Sequence, residues 1–259
     1  RQFQLGDEVY ARLDDGRIGG FAEFAPVRES SLALKPRGIS MEEAASLPLV
    51  ALTAWQALVD RAGLQAGQKV FIQAGSGGVG TVALQLAKHL GAQVATTAGS
   101  SNLALVKGLG ADVAVDYRAQ DFETVLQDCD VVLHSQDGQT LDKSLRVLKR
   151  GGRIVSISGP PDPAFGRTLQ VARYLRPVLR LAFRLLSAGI RRRAARRGVG
   201  YSFLFMRADG DQLRQITRLV EAGAIRPVVD RVFPFDASNE ALAYVEAGRA
   251  KGKVVIKLL

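Results

Sequence analysis

The residues best placed to do chemistry are Gly75-Ser76-Gly77-Gly78-Val79-Gly80, whose glycines follow the G-x-G-x-x-G pattern. In this pattern the first glycine permits a tight turn. The second lets the backbone approach a pyrophosphate, and the third lets a helix pack closely on its strand. Residues 70–74, VFIQA, form the apolar, β-prone run before the turn. After it, Val82, Leu84, Leu86, Ala87 and Leu90 recur at helical spacing, and Gly91 closes the helix. A helix starting there offers free N–H groups and a positive dipole end to phosphates. The plain alternative is a glycine-rich turn without a ligand. Protein kinases carry the pattern too, but this chain has no H-R-D or D-F-G partner.

A second strand at 93–97, QVATT, starts two residues after that helix closes. The residue that reads a dinucleotide's ribose is expected at its end, about 20 residues beyond the glycines. NAD sites commonly place Asp or Glu there. This chain has Ala98-Gly99-Ser100-Ser101-Asn102, and no acid occurs from Thr81 to Ala111. A carboxylate would repel a 2′-phosphate, whereas two hydroxyls and nearby Lys107 would not. NADPH is therefore favoured over NADH. The competing role for Ser100 and Ser101 is to cap a helix starting near Asn102. The two roles are compatible, because a helix N-terminus is also an anion site.

The elements that must position these residues alternate from Lys69 onward. Strands are expected near 70–74, 93–97, 113–116, 130–134 and 152–157, and helices near 79–90, 102–109, 121–127 and 139–149. Such alternation implies an α/β fold with a doubly wound parallel sheet. Ligands bind beyond the carboxyl ends of such strands. That groups Gly75–Gly80, 98–101, Tyr117, 134–138 and 158–161 on one rim. A sixth strand is expected at 201–205, a dimer seam if it lies at the sheet edge. Upstream, strands are expected at 6–11 and 21–27 around a hairpin turn at Asp14-Asp15-Gly16. Helices are expected from Ser40 to Ala45 and over 47–58. The C-terminal part reads as helix 211–221, strand 228–235, helix 237–247 and strand 253–258.

Apolar residues make up 47% of the 259, enough for a substantial core. A single cysteine, Cys129, rules out an internal disulfide framework and a multi-cysteine zinc site within the chain. The opening RQFQLGDEVY has no apolar core segment of a signal peptide, and no uncharged apolar run reaches a membrane span. The expectation is a soluble, cytoplasmic protein. The net charge of +10 is concentrated: ten arginines and no acid lie between Pro163 and Met206. Arg173, Arg176, Arg180, Arg184 and Arg191 share one helical face. Val171, Leu175, Val178, Leu179, Ala182 and Leu186 form another, with Pro177 as a kink or restart. A solvated arginine face on a helix packed against its own domain is the favoured reading, and an anionic membrane surface the weaker alternative. Nucleic acid is not expected, because aromatic interleaving is lacking.

With these pieces placed, the chain resembles the medium-chain dehydrogenase/reductase superfamily, in its zinc-independent quinone oxidoreductase-like branch. The resemblance rests on GDEVY at 6–10, EEAASLPLVALTAWQAL at 42–58, AGSGGVG at 74–80 and GADVAVDYR at 110–118. It continues through LDKSLRVLKRGGRIVSISGPP at 141–161 and FPFDASNEALAYVEAGRAKGKVVIKL at 233–258. It implies a partial GroES-like β-barrel catalytic domain at 1–45, an NADP-binding Rossmann domain at 46–225 and a return to the catalytic domain at 226–259. In the family, roughly 80 residues that build most of the barrel precede GDEVY. The substrate half is therefore expected to be incomplete.

The resemblance also implies cofactor contacts. Gly75, Ser76, Gly77, Gly78, Val79 and Gly80 form the pyrophosphate loop; Ser100 and Ser101 face the 2′-phosphate; Tyr117 flanks the adenosine. Thr53, Ser158 and Gly159 match positions near the nicotinamide, and Phe203 and Lys253 match positions near the cleft. Many relatives carry lysine at the place of Ser101, which weakens the phosphate argument. His134 departs from the family's D-x-x-G pattern and is either a substrate-side polar group or a structural one. Ser46–Thr53 lacks the Cys or His that a zinc relative would use, so no metal is expected. The implied function is hydride transfer from NADPH to a quinone, enone or other activated carbonyl or alkene, in a homodimer acting on a small molecule. No catalytic acid is assigned, and water supplies the proton. The alternatives are a non-catalytic NADPH-binding protein and a zinc-free NADP-dependent alcohol dehydrogenase.

Overall fold

The computed structural model describes residues 2–14, 19–165 and 175–258. The strands among them are β1 (Val9–Ala11), β2 (Leu32–Leu34), β3 (Lys69–Ile72), β4 (Gln93–Ala98), β5 (Val113–Asp116), β6 (Cys129–His134), β7 (Leu148–Ser156), β8 (Gly200–Phe203), β9 (Val229–Pro234) and β10 (Lys253–Lys257). The chain divides into two compact units. One comprises Arg1–Trp55, Ser76–Leu86 and Met206–Leu259; the other comprises Gln56–Gly75 and Ala87–Phe205.

The second unit holds a six-stranded sheet in the order β5-β4-β3-β6-β7-β8. Every pairing in it is parallel. Counted from β3, this is the 3-2-1-4-5-6 order of a dinucleotide fold, with its switch point between β3 and β6. Central strands of a parallel sheet are covered on both faces and need continuous apolar runs. Val70, Phe71 and Ile72 meet that need, each with 0% exposure. The core around them joins Phe71, Val115, Leu126, Leu141, Ile154 and Ile190. Phe71 meets Phe122 with ring centroids 4.8 Å apart. Asp137 caps the helix Gly138–Val147 by accepting from the Thr140 N–H at 2.8 Å.

The helix expected at 121–127 is only a 3-10 turn, Phe122–Thr124. Phe122 and Leu126 are pinned in the core, and Asp128, with φ of 55°, turns the chain into β6 before a longer helix can form. The arginine-rich segment forms two helices, Arg176–Leu186 and Ala188–Arg196. Pro177 stands in the first turn of the former, where a missing N–H costs nothing, so it marks a restart and not a kink. Val171 and Arg173 lie outside the described residues. β8 occupies one edge of the sheet.

In the first unit, β1 and β2 pair antiparallel. The Tyr10 hydroxyl donates to the Leu213 carbonyl at 2.9 Å and meets Thr217 Oγ1 at 2.9 Å, tying β1 to the helix Gly210–Glu221. Burial pushes the Tyr10 phenol up to about 12. Gly210 has to be glycine: a Cβ there would lie 2.4 Å from the Leu32 carbonyl oxygen. The strand expected at 21–27 does not form. Phe21 and Phe24 are 58% and 88% exposed, and alternation without a neighbouring strand has nothing to pair with. Asp15 and Gly16, the core of the expected hairpin turn, lie outside the described residues. β9 and β10 pair in parallel. The buried Gln85 side chain holds the chain just before β9: Nε2 donates to the Arg226 carbonyl and Oε1 accepts from the Arg226 N–H, both at 3.0 Å. Among the described residues no helix is long and apolar enough to cross a membrane.

Replacing Phe71 by Ala removes the sheet's central ring, and stability should fall by about 3–5 kcal/mol. The loss should read as a lower urea midpoint at unchanged slope.

Candidate functional site

Where β3 ends, the backbone is constrained twice. Ala74 has φ of 51°, a left-handed conformation unusual for a residue with a Cβ. Its N–H donates to Thr97 Oγ1 at 3.1 Å. At Gly75 a Cβ would stand 2.2 Å from Thr96 Oγ1. Thr96 cannot yield, because it is fully buried and its hydroxyl donates to the Ile72 carbonyl at 2.6 Å. Gly75 therefore fills the first-glycine role on steric grounds. Gln73, also buried, bridges the switch point. Its N–H donates to the Leu133 carbonyl at 3.1 Å, its Oε1 accepts from the Ser135 N–H at 3.2 Å, and its Nε2 donates to Ser144 Oγ at 2.8 Å.

Ser76, Gly77, Gly78, Val79 and Gly80 belong to the other unit. The helix Gly78–His89 starts there. The Ser76 carbonyl accepts from the Gly252 N–H at 2.8 Å, and Gly77 forms a parallel bridge with Gly252. A Cβ at Gly78 would lie 2.8 Å from Lys253 Cδ and 3.2 Å from Val50 Cγ1. Lys253 thus lies against the loop. It is half-buried, and desolvation holds its ammonium below the usual lysine range. Among the described residues its ammonium has no hydrogen-bond or ion-pair partner, while its backbone N–H donates to the Val228 carbonyl at 2.9 Å. A helix start beside an unpaired, poorly solvated ammonium suits a pyrophosphate. Thr53 lies one turn beyond Val50 on the helix Pro48–Trp55, but its Oγ1 donates to the Leu49 carbonyl at 2.7 Å. Its proton is already committed.

Ser100, Ser101 and Tyr117 come together at the ends of β4 and β5. The helix-capping role fails: neither the 3-10 turn Ser100–Asn102 nor the helix Leu103–Gly108 has a side-chain cap. Ser100 Oγ instead donates to Asp116 Oδ2, which also holds that carboxyl below its ordinary range. Asp116 stands opposite Ala98 in the register. The acid missing from 81–111 therefore arrives on the neighbouring strand. Ser101 is exposed, as is Tyr117 at 58%. The Arg118 guanidinium carbon lies 5.8 Å from the Tyr117 ring centre. The corner carries two hydroxyls, a guanidinium, an aromatic face and one carboxylate.

Ser158, Gly159 and Phe203 follow β7 and β8 around a buried polar cluster. His134 is 0% exposed. Its Nε2 lies 3.0 Å from the Asp137 carbonyl, which can only accept, so Nε2 carries the proton. Nδ1 then accepts from Ser156 Oγ at 2.8 Å, and Ser156 Oγ accepts from the Gly159 N–H at 2.7 Å. Ser158 Oγ donates to the Gln136 carbonyl at 2.6 Å. A Cβ at Gly159 would strike Ser156 Oγ at 2.7 Å and the Tyr201 hydroxyl at 2.8 Å. Burial lowers the His134 pKa. Both ring nitrogens are occupied, so His134 serves the fold of this rim. Asp162, buried, accepts from the Phe203 N–H at 3.0 Å and the Ala164 N–H at 2.8 Å. Phe203 stacks edge-on against Phe165 at 5.3 Å.

Sequence reading missed Gln73, Asp116, Ser156 and Asp162. A usable signal existed for the first three: each is the polar residue closing an apolar strand, where a parallel sheet turns its chemistry outward. Asp162 sits in a loop without such a mark.

The zinc-binding dehydrogenase family model matches residues 109–256. The chain belongs to this family. It is 35% identical to the mitochondrial NAD(P)H oxidoreductase RTN4IP1 of Danio rerio, covering 100% of this chain and 68% of that protein. It is 34% identical to the chloroplastic NADPH-dependent alkenal/one oxidoreductase of Arabidopsis thaliana, over 99% of this chain and 59% of that protein. The solved quinone oxidoreductase of Coxiella burnetii superposes with a TM-score of 0.84 at 27% identity, covering 100% of this chain and 74% of that one. The chain spans well short of the full length of the curated relatives it matches. Kinship of this degree makes it an oxidoreductase of the nicotinamide-dependent type. The compartments in the relatives' names are mitochondrial and chloroplastic, so the cytoplasmic expectation gains no support from them.

The family's description raises zinc. Among the described residues no three His, Cys, Asp or Glu side chains converge on one point. Cys129 is buried, and burial pushes its thiol up to about 11, away from the thiolate a metal needs. Taken by itself, the loop with Lys253 suits a pyrophosphate; taken by itself, the corner of Ser100, Ser101 and Tyr117 suits an adenosine.

Two outcomes are expected. Gly75→Ala should cost about 1–3 kcal/mol of stability by overpacking, measured by denaturation, and weaken dinucleotide binding. His134 binds fewer protons folded than unfolded. Its contribution should be full above its unfolded pKa and lost as pH falls through the folded value. Melting temperature should drop as pH falls below about 6.5, and His134→Gln should flatten that slope.

Proposed function

We propose that this chain is the cofactor-binding part of an NADPH-dependent reductase that delivers hydride, without zinc, to a conjugated enone, an alkenal or a quinone. Bound NADPH supplies the hydride. A proton from water completes the reduction, leaving NADP+ and the saturated carbonyl or hydroquinone. The carrying observation is the glycine turn with Lys253 set against it: a helix start and a poorly solvated ammonium with no partner among the described residues. The chain's own residues bind and orient the cofactor, the protein's usual share of nicotinamide catalysis.

Three features support the phosphate-bearing cofactor: the paired hydroxyls of Ser100 and Ser101, Arg118 nearby, and the absence of acids from 81 to 111. Asp116 opposes it. It is positioned to accept from a ribose hydroxyl as readily as from Ser100. Zinc independence is supported by the lack of a convergent donor set among the described residues. Enone and quinone substrates are supported by the activities named for the Arabidopsis and Coxiella relatives. The free edge of β8 supports a homodimer.

The test is a titration with NADPH and NADH, following Trp55 fluorescence, and then addition of an enone or quinone with oxidation read at the nicotinamide absorbance. NADPH should bind more tightly. Asp116→Asn should widen the preference, and Lys253→Met should weaken both cofactors about tenfold or more, the worth of one charge-assisted hydrogen bond. Equal affinity would overturn the NADPH assignment, binding of neither cofactor would overturn the cofactor-binding one, and turnover on this chain alone would show that the residues present suffice for hydride transfer.

A further inference from the structure

The helix Arg176–Leu186 meets its own unit along one narrow side, where Phe183 packs on Phe165 with ring centroids 5.2 Å apart, and leaves the rest of its surface open. None of its described side chains is fully buried. Of the apolar face expected to turn inward, Leu179 is half-buried but Val178 and Leu186 are each 64% exposed, and Leu181 and Leu185 beside them are 58% and 68% exposed. The following helix, Ala188–Arg196, sets the contrast, because it buries Ile190 and Ala194. A solvated arginine face accounts for Arg180 and Arg184. It does not account for four large aliphatic side chains in water along the same two turns.

The charge around this face is one-sided. No acid lies between Pro163 and Met206. Among the described residues of that span, Arg193 makes an ion pair, with Asp142 at 2.9 Å, and Arg180, Arg184 and Arg191 make none. Those three line a groove of about 440 Å³ with Leu181, Pro163 and Pro177. Guanidinium groups therefore border the apolar stripe. A water-soluble partner would need apolar and anionic surface side by side to match. A bilayer of anionic lipid presents phosphates at one depth and acyl chain just beneath, the order in which this helix presents its groups.

We infer that the helix Arg176–Leu186 docks this chain onto anionic lipid surfaces, its leucines entering the acyl boundary and Arg180, Arg184 and Arg191 holding lipid phosphates. The inference is independent of the cofactor reading. The experiment is co-sedimentation of the full chain with vesicles of phosphatidylcholine alone and of an equimolar mixture with phosphatidylglycerol, at low and high salt. Wild type should pellet with the mixed vesicles only, and salt should release it. The triple variant Arg180→Ala, Arg184→Ala, Arg191→Ala should bind about a hundredfold more weakly, from roughly a factor of five per arginine. The double variant Leu181→Asp, Leu185→Asp should also lose binding while keeping its melting temperature and nicotinamide affinity. Equal pelleting with neutral vesicles would overturn the inference. So would leucine-independent binding that duplex DNA competes away, or a wild-type dimer that the leucine variant converts to monomer, since then a polyanion or a second copy occupies the face.

Discussion

The step from Ala74 to Gly75 is where backbone sterics govern the rest. Thr96 stands on the adjacent strand with its hydroxyl tied to the Ile72 carbonyl, so no side chain can pass there. The chain leaves β3 through a left-handed residue and a glycine. Left-handed backbone at a residue with a Cβ is strained, and such strain persists only where surrounding structure over-determines it. Thr97 does so by accepting the Ala74 N–H, and its carbonyl accepts the Gly75 N–H at 2.9 Å. Two threonines on β4 thereby set the direction in which β3 hands the chain to the glycine loop.

The other strand ends of the sheet repeat this economy with polar side chains. Gln73 satisfies groups on both sides of the switch point, His134 and Ser156 join β6 to β7, and Asp162 fastens the following loop to β8. A buried polar network is costly when partly satisfied and specifying when complete. Ser156 and the Asp137 carbonyl occupy both ring nitrogens of His134, which is why its position on the rim does not make it reactive.

Much of this was legible in the residues. Apolar runs such as 70–72 and 131–133 had to be buried strands, and their alternation with helical periods implied a parallel sheet. What failed was whatever depended on a partner distant in sequence. Residues 21–27 alternate correctly but find no strand to pair with, while β2, three residues long, carries no period to read. Residues 121–127 have helical composition but are pulled apart by anchors at Phe122 and Leu126. Asp116 is not marked along the chain, because what brings it to Ser100 is registry between strands. The outward leucines of the arginine-rich helix escaped for the same reason: periodicity shows that a face is apolar and not which way it points.

The placement of Asp116 has an evolutionary side. On the proposed reading, grip on the dinucleotide comes from the glycine loop and Lys253, while discrimination between phosphorylated and unphosphorylated forms comes from Ser100, Ser101 and Asp116. The two traits are separately heritable. A lineage can drift in cofactor preference through one codon at position 116 without disturbing the anion cradle, and purifying selection on the loop leaves that freedom intact.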